Sequence, residues 1–285
     1  MKTGLVLEGG ALRAIFSAGV CDALLDANVM PDYFIGVSAG AAYGTSYLSR
    51  QPRRNLELAV RFAPDRRYMG MRNLLDPKNR SYFGLDFAYS RIPKELLPFD
   101  YEALAAYPGT AEVVVTDLNT GNPVYLPMPR DDDPQKVLQA TCAMPLLFPI
   151  YHIDGVPCLD GGVSDGIPWR RALDQGCDRV LVVLTRPRDY QRKPDKMRAL
   201  MKRTYRAYPE FLRMMETRHE VYNADRAALF RAEAEGKVLV IAPDSTLGVS
   251  RTERDTEKLR LLWGAGYEMA SSRIDEIWDW FGIKK

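Results

Sequence analysis

The hydrophobic positions of this chain fall into short unbroken runs separated by amphipathic stretches. The four clearest runs occupy positions 3–7, 33–37, 179–185 and 237–242. Because a strand buried on both faces carries apolar side chains on both sides, each run predicts an interior strand of a parallel sheet. Segments 11–27 and 39–48 follow the first two runs and are compatible with helices. The first fifty residues therefore predict a strand–helix–strand–helix order, which is typical of α/β folds.

The remaining pattern predicts shorter elements around this frame. The further predictions are strands at 112–117 and 123–126, helices at 135–141, 255–262 and 266–281, and short helices and loops over the proline-containing segment 57–99. Asp131–Asp133 and Pro134 place negative charge and a proline at a helix start, where both are favourable. No internal repeat or low-complexity linker is present. The sequence thus predicts a single α/β domain over residues 1–285, with a central, mainly parallel sheet and helices on both faces.

Composition and charge exclude several classes of protein. The 285 residues are 46% hydrophobic and carry a net charge of +2, which predicts a globular protein rather than a disordered one. This charge is also too small to hold nucleic acid by bulk attraction. No apolar run approaches the ~20 residues of a membrane-spanning helix. Glu8 interrupts the N-terminal apolar run too early for a signal peptide.

The cysteines and histidines further restrict the kinds of site that the chain can form. The chain has four cysteines, none of them in a C-x-x-C pair: Cys21, Cys142, Cys158 and Cys177. This usage predicts free thiols in a reducing, cytoplasmic compartment. His152 and His219 are the two histidines of the chain, so a histidine-rich metal site is not expected. We predict no metal and no organic cofactor.

A candidate nucleophile lies where the second predicted strand meets its helix. Gly36-Val37-Ser38-Ala39-Gly40 has the pattern G-x-S-x-G. In this pattern Gly36 and Gly40 relieve collisions at a sharp turn and leave the serine hydroxyl exposed. The following helix directs its N-terminal amides to the same place, which favours an anion. An ordinary turn of small residues is the alternative interpretation.

A second glycine-rich turn follows the first predicted strand. Glu8-Gly9-Gly10-Ala11-Leu12-Arg13 precedes a helix and does not fit the dinucleotide-binding pattern G-x-G-x-x-G. Backbone without side chains at Gly9 and Gly10 can approach a substrate oxygen. Donors to an oxyanion of this kind are worth about 3–4 kcal/mol each. A plain strand–helix turn is the alternative interpretation of this segment.

An acyl-transfer serine also needs a base. His152, at a predicted strand edge, and His219, in a charged helical stretch, are the candidates for a histidine triad, and neither has an obvious orienting group. Asp160-Gly161-Gly162 ends a short apolar run at 156–159. A buried aspartate can act as the base when burial raises its pKa. A turn aspartate bonded to its own backbone is the alternative for Asp160.

Four segments together resemble the bacterial branch of the patatin-like phospholipase family. In chain order they are 8–13, 36–40, Ala140-Thr141-Cys142-Ala143-Met144-Pro145 with Pro149, and 160–162. The resemblance implies a three-layer catalytic core over about residues 3–187. It leaves a mostly helical C-terminal part, about 188–285, which contributes one further strand at 237–242.

The resemblance also implies a Ser–Asp dyad without histidine, in a serine acyl hydrolase of the lipase or phospholipase A type. Ser38 attacks an ester carbonyl in such a site, and Asp160 takes its proton. The residues implied around the oxyanion are Gly9, Gly10, Ala11 and Arg13. The motif glycines implied at the turns are Gly36, Gly40, Gly161 and Gly162. The sequence departs from the family pattern at Ala11 and Ala14, where many members have glycine, and an alanine at position 11 predicts a strained backbone.

Two alternative functions stay open at this point. One is an acyltransferase that uses the same dyad and passes the acyl group to an alcohol or a thiol. The other is a non-catalytic, lipid-binding regulatory protein, against which the intact Ser38 and Asp160 argue. The expected ligand is a lipid or another ester, with no nucleic acid. The sequence does not determine the oligomeric state.

Two further patterns are compatible with contact to lipid. Segment 186–206 contains nine basic residues and two acidic ones, which predicts peripheral docking on anionic lipid at the inner face of a membrane. A solvated helical face is the alternative. A set of aromatic and methionine side chains predicts an acyl pocket or a lid, with ordinary core as the alternative: Met69, Met71, Tyr82, Phe83, Phe87 and Tyr89.

Overall fold

The central element of the protein is a sheet of eight strands. A computed structural model describes residues 1–130, 135–195 and 197–283. The strands are β1 (Thr3–Leu7), β2 (Tyr33–Val37), β3 (Thr110–Asp117), β4 (Pro123–Pro127), β5 (Tyr151–Ile153), β6 (Val156–Asp160), β7 (Arg179–Val183) and β8 (Val238–Ile241). All the predicted strands are present, with bounds that differ by at most two residues. The predicted acidic and proline residues at 131–134 lie outside the described residues.

Eleven α-helices surround the sheet in the described part of the chain. They are α1 (Ile15–Asp26), α2 (Ala39–Leu48), α3 (Arg54–Phe62), α4 (Met71–Leu75), α5 (Tyr101–Ala105), α6 (Gln135–Thr141), α7 (Trp169–Asp174), α8 (Arg198–Thr204), α9 (Pro209–Ala234), α10 (Thr256–Ser272) and α11 (Ile274–Phe281). Short 3-10 helices at Ala11–Ala14 and Gly161–Val163 and a π-helix at Phe87–Leu96 complete the helical elements.

The strand order confirms the predicted α/β fold with a mainly parallel central sheet. The strands pair in the sequence β5-β6-β3-β2-β1-β7-β8, with β6 and β2 on successive parts of one edge of β3 and β4 on its other edge. The pairs β1–β2, β1–β7, β2–β3 and β7–β8 are parallel. The pairs β3–β4, β3–β6 and β5–β6 are antiparallel. The antiparallel strands therefore form one end of the sheet.

Alternate residues of the interior strands face two separate hydrophobic cores. Leu5 and Leu7 of β1 pack in the core that also contains Leu24 of α1. Val6 packs in the second core, together with Trp169 of α7 and Leu229 of α9. Because successive side chains of a strand point to opposite faces, helices cover both faces and the fold has three layers.

The C-terminal helix α10 packs directly on α1. A Cβ atom at Gly19 would collide with the carbonyl oxygen of Trp263, and one at Gly266 would collide with that of Phe16. The two glycines thus permit a close backbone approach. This contact explains one difference from the prediction, which placed a break at 263–265, whereas α10 is continuous to Ser272. Among the described residues, no helix is both long and apolar enough to cross a bilayer.

Candidate active site

The register of β3 brings the ends of β2 and β6 together. β2 runs parallel to β3 and ends with Val37 opposite Val114, whereas β6 runs antiparallel and ends with Asp160 opposite Val115. β4 pairs with the opposite edge of β3, so β2 and β6 share one edge and meet end to end. Ser38 follows Val37 directly. It is therefore a neighbour of Asp160, although 122 positions separate the two residues in the sequence.

The two residues form a buried hydrogen-bonded pair. Ser38 Oγ donates to Asp160 Oδ2 at 2.8 Å, and the Gly162 N–H donates to Asp160 Oδ1 at 2.8 Å. Ser38 is 8% exposed and Asp160 is 6% exposed. Burial raises the pKa of Asp160 above its ordinary value, against the opposing effect of the bonds from Ser38 and Gly162. The arrangement thus places a carboxylate of raised pKa within hydrogen-bond distance of a serine hydroxyl.

The backbone at Ser38 adopts a sharp, strained turn. Its φ of 54° and ψ of −128° lie outside the regions that side-chain-bearing residues usually occupy. A Cβ atom at Gly36 would lie 2.6 Å from Ala41 Cα, and one at Gly40 would lie 2.6 Å from the Leu7 carbonyl oxygen. The turn therefore excludes side chains at both flanking positions. This is the nucleophile-elbow geometry that the G-x-S-x-G pattern predicts.

Thr141 at the end of α6 fixes this turn from the other side. The Ser38 N–H donates to Thr141 Oγ1 at 2.9 Å, and the Thr141 hydroxyl donates to the Val114 carbonyl oxygen at 2.6 Å. Thr141 is fully buried. The sequence analysis included this residue in a motif but assigned it no role. The Ser38 amide is thus already occupied, so donors to an oxyanion have to come from elsewhere.

The glycine-rich segment after β1 offers such donors. A Cβ atom at Gly9 would lie 3.0 Å from Ser38 Cβ, so this backbone passes close to Ser38. Ala11 has a φ of 49°, which is the strained conformation expected at the departure from the family pattern. Within residues 1–130, 135–195 and 197–283, the N–H groups of Gly9, Gly10 and Ala11 donate no hydrogen bond.

Glu8 anchors this segment to distant parts of the fold. Its buried carboxylate accepts hydrogen bonds from the Thr185 N–H at 2.6 Å and from the Tyr222 hydroxyl on α9. A Cβ atom at Gly10 would lie 2.8 Å from Thr185 Oγ1, so the absence of a side chain at Gly10 lets the backbone lie this close to Thr185. The glycine-rich segment is therefore held between β7 and α9. Neither Thr185 nor Tyr222 carries a local sequence signal for this role.

Arg13 is buried beside the same segment. It is 8% exposed, and its Nε has no hydrogen-bond partner in the described structure. Burial, reinforced by the charges of Arg186 and Arg251, lowers the pKa of Arg13 to about 10. The guanidinium therefore stays charged at neutral pH. The predicted Arg13, Gly9, Gly10 and Ala11 are all brought to the edge of the cleft that contains Ser38.

Two cavities meet at Ser38. The apolar cavity, of about 140 Å³, has walls that include Leu58, Tyr68, Phe83, Tyr89, Ile92 and Phe148. The arginine cleft, of about 460 Å³, contains Asp160 and five arginine side chains: Arg13, Arg186, Arg192, Arg218 and Arg251. Of the predicted acyl-pocket residues, Phe83 and Tyr89 line the apolar cavity and Met71 lines the cleft. The others, Met69, Tyr82 and Phe87, pack in the core instead.

The histidines lie away from this junction. His152 is exposed on β5, and His219 Nε2 on α9 lies 3.7 Å from Glu220 Oε1. Neither residue lines the apolar cavity or the arginine cleft. The structure thus places Asp160, and no histidine, at the Ser38 hydroxyl.

Comparison with known proteins assigns the chain to a family. A sequence model described as patatin-like phospholipase matches residues 5–173, which is more than half of the chain. The chain belongs to the patatin-like phospholipase family. This assignment confirms the resemblance predicted from the four motifs. A second model, a domain of unknown function called DUF6363, matches residues 208–282 of this patatin-like protein.

Individual relatives add little to this assignment. The uncharacterized protein YjjU of Escherichia coli K12 is 27% identical over 200 residues, which are 65% of this chain and 52% of YjjU. The patatin-like chain thus spans about half the length of this relative. The crystal structure of VipD from Legionella pneumophila aligns with 96% of this chain and 67% of its own, at 16% identity and a TM-score of 0.45.

The candidate site of this family member also includes residues from beyond the family-matched segment. Ser38, Asp160 and Thr141 lie within residues 5–173. Arg218 lies on α9, where its Nη2 donates to the Gly162 carbonyl oxygen at 2.6 Å. The Arg251 carbonyl oxygen accepts from the Leu12 N–H at 3.4 Å. The C-terminal part therefore contacts both the aspartate turn and the glycine-rich segment.

Proposed function

We propose that this protein is a serine acyl hydrolase that cleaves carboxylic esters of lipids, with Ser38 as nucleophile and Asp160 as base. The 2.8 Å hydrogen bond from Ser38 Oγ to Asp160 Oδ2 is the observation that carries the proposal. The position of the pair strengthens the proposal, because Ser38 lies where the apolar cavity meets the arginine cleft. The cavity suits an acyl chain and the cleft suits the alcohol part of a lipid ester.

The reaction has two stages on this geometry. In the first, Ser38 Oγ attacks the ester carbonyl carbon while its proton passes to Asp160 Oδ2. The tetrahedral intermediate then collapses, the C–O bond to the alcohol breaks, and Asp160 returns the proton to the leaving oxygen. In the second, Asp160 takes a proton from water as the water oxygen attacks the acyl-serine carbonyl carbon. The C–O bond to Ser38 Oγ then breaks, Asp160 returns the proton to Oγ, and the carboxylic acid leaves.

The oxyanion of each intermediate needs hydrogen-bond donors. The free N–H groups of Gly10 and Ala11 are the candidates, with Gly9 close behind the nucleophile. Each such donor contributes about 3–4 kcal/mol to the stability of the transition state. The Arg13 guanidinium adds positive charge at the same edge of the cleft. The Ser38 amide is excluded from this role because it is bonded to Thr141.

A fluorophosphonate probe tests the proposal directly. We expect one covalent adduct on the wild type by intact mass, none on Ser38→Ala, and strongly slowed labelling of Asp160→Asn. Ser272→Ala is a matched control, because Ser272 is exposed at the end of α10, far along the chain from the dyad. Absence of an adduct on folded wild type would contradict the proposal and favour a non-catalytic lipid-binding protein.

Product analysis then separates hydrolysis from acyl transfer. We expect free fatty acid from a lipid ester even when glycerol is added as an acceptor. Acylated glycerol as the main product would replace the hydrolase with an acyltransferase that uses the same Ser38 and Asp160.

The basic segment predicted to dock on membranes is divided in the fold. Arg186 and Arg192 line the arginine cleft. Arg188 Nη1 pairs with Glu233 Oε2 at 2.6 Å, and Lys202 Nζ pairs with Glu216 Oε1 at 2.9 Å. The segment is therefore not one uniform charged face, and Lys196 lies outside the described residues.

A different observation supports peripheral membrane docking as part of the proposal. Met71, Met197 and Leu200 line the mouth of the cleft and are 59%, 53% and 45% exposed. Exposed apolar side chains at a site entrance favour contact with a lipid surface, and the neighbouring exposed Arg198 favours anionic lipid. We propose docking at the cytoplasmic face of a membrane. Equal sedimentation with neutral and anionic vesicles would contradict the anionic preference.

A further inference from the structure

The arginine cleft holds more positive than negative charge. Its walls contain five guanidinium groups and three carboxylates, those of Glu8, Asp160 and Asp195, which leaves a net charge of +2. Four of the arginines, at positions 186, 192, 218 and 251, lie outside the segment 5–173 that matches the family model. The excess charge is thus supplied by the part of the chain with no assigned role.

The three carboxylates are already engaged by the protein. Glu8 accepts from Thr185 and Tyr222, and Asp160 accepts from Ser38 and Gly162. Asp195 Oδ2 lies 3.6 Å from Arg218 Nη1. They therefore offset only part of the guanidinium charge in the cleft.

Several guanidiniums have no anionic partner. In the described ranges, the side chains of Arg186 and Arg251 form no hydrogen bond and no ion pair, and Arg186 lies over the Tyr190 ring at 4.4 Å. Arg13 Nε is buried without a partner. By contrast, Arg171 and Arg188, outside the cleft, are paired with glutamates at 2.7 Å and 2.6 Å.

The charges in the cleft are close enough to repel one another. Burial and the charge of Arg192 lower the pKa of Arg218 to about 9, and burial and the charges of Arg186 and Arg251 lower that of Arg13 to about 10. Both groups stay protonated at neutral pH. Guanidinium groups bind phosphate through paired, charge-assisted hydrogen bonds, so a bound phosphate would relieve this repulsion.

We propose that the arginine cleft binds the phosphate of the alcohol part of the substrate and selects glycerophospholipids with a net negative headgroup. The inference rests on the proposed function, because it assigns the acyl chain to the apolar cavity and the headgroup to the cleft. A zwitterionic headgroup carries the same phosphate but adds an ammonium group next to the unpaired Arg186 and Arg251. That like charge disfavours it relative to an uncharged glycerol.

Kinetics with soluble short-chain lipids test the selection without a membrane surface. We expect wild-type kcat/KM for dihexanoyl phosphatidylglycerol to exceed that for dihexanoyl phosphatidylcholine by at least about tenfold. Arg251→Gln and Arg186→Gln should each reduce this preference at least about fivefold, chiefly through the KM for the anionic lipid. Arg231→Gln on α9 is the matched control, because Arg231 is exposed and lies outside the cleft, and it should keep the preference. Equal wild-type rates on the two lipids would overturn the inference.

Calorimetric binding to the Ser38→Ala protein separates this inference from the proposed function. We expect dihexanoyl phosphatidylglycerol to bind more tightly than both dihexanoyl phosphatidylcholine and inorganic phosphate. That result, with no hydrolysis by the wild type, would support the anion subsite while the hydrolase proposal fails. Equal binding of the two lipids would overturn the subsite even if the wild type hydrolyses both. Inorganic phosphate binding as tightly as the anionic lipid would overturn the assignment to a headgroup.

Discussion

Replacement of Thr141 by valine asks whether a side chain from α6 holds the nucleophile in place. Valine has nearly the shape of threonine but lacks the hydroxyl. That hydroxyl accepts from the Ser38 N–H at 2.9 Å and donates to the Val114 carbonyl oxygen at 2.6 Å. Thr141→Val therefore leaves one buried donor and one buried acceptor without partners, with almost no change in packing volume.

The expected cost follows from these two groups. An unsatisfied buried donor or acceptor costs about 1–3 kcal/mol, so the pair costs about 2–6 kcal/mol of folding free energy. Relaxation of the strained Ser38 backbone, once its bond to Thr141 is lost, would offset ~1–3 kcal/mol of this cost and would displace the hydroxyl. A shift of the hydroxyl by about 1 Å reduces the rate about 100-fold. We expect a loss of kcat of this size and a decrease in Tm of about 2–5 °C.

The assay is the rate of fluorophosphonate labelling together with hydrolysis of a soluble nitrophenyl ester and a thermal melt. Thr141→Ser is the matched control, because it keeps the hydroxyl and loses only a methyl group, and it should label within about threefold of the wild type. A folded Thr141→Val protein that labels at the wild-type rate would refute the reasoning. The glycine-flanked turn alone would then hold Ser38.

Three further predictions concern the base, the histidines and the acyl cavity. Because a protonated carboxyl group cannot accept the serine proton, the wild-type rate should fall as the pH drops through the raised pKa of Asp160, above the ordinary 3.8, in a pH–rate profile. A raised pKa means that the native state binds this proton more tightly than the unfolded state, so ionised Asp160 reduces stability at neutral pH. Asp160→Asn should therefore lose about 10³-fold in rate yet melt no lower than the wild type at pH 7. His152→Ala and His219→Ala should keep their ester hydrolysis rates within about threefold, and a loss of several orders of magnitude in a folded variant would restore the histidine triad. Ala42→Leu, which places a larger side chain in the wall of the apolar cavity, should reduce the decanoate-to-acetate ratio of kcat/KM about tenfold, and an unchanged ratio would place the acyl chain elsewhere.

The sequence predicted those parts of the fold that depend on local pattern. The unbroken apolar runs located β1 and β2 because interior strands need apolar residues on both faces. The predicted break at 263–265 was wrong, because Gly266 lies within α10 and permits its close approach to α1. The 26-residue helix α9 was not delimited, since its many charged residues give only a weak amphipathic pattern.

The sequence likewise predicted only those parts of the candidate site that depend on local pattern. Ser38 and Asp160 were candidates because the glycines of their turns are visible in the sequence, and the choice of Asp160 as base came from the resemblance to the patatin-like family. Their meeting depends on the register of β2 and β6 along β3, which no local pattern encodes. Arg218 and Arg251 reach the cleft through the packing of α9 and of the loop before α10. The sequence around a single arginine does not indicate which site its side chain will reach in the fold.

The strand order has a consequence for how this protein can be divided. The family-matched segment ends at residue 173, yet β7 begins at Arg179 and lies between β1 and β8. A fragment that stopped at residue 173 would turn β1 into an edge strand, with unpaired N–H and C=O groups that invite aggregation. It would also lack α10 and so expose the face of α1, around Gly19, that packs against α10. The two segments recognised by separate family models therefore have to be expressed as one chain, together with the part that contains β7 between them.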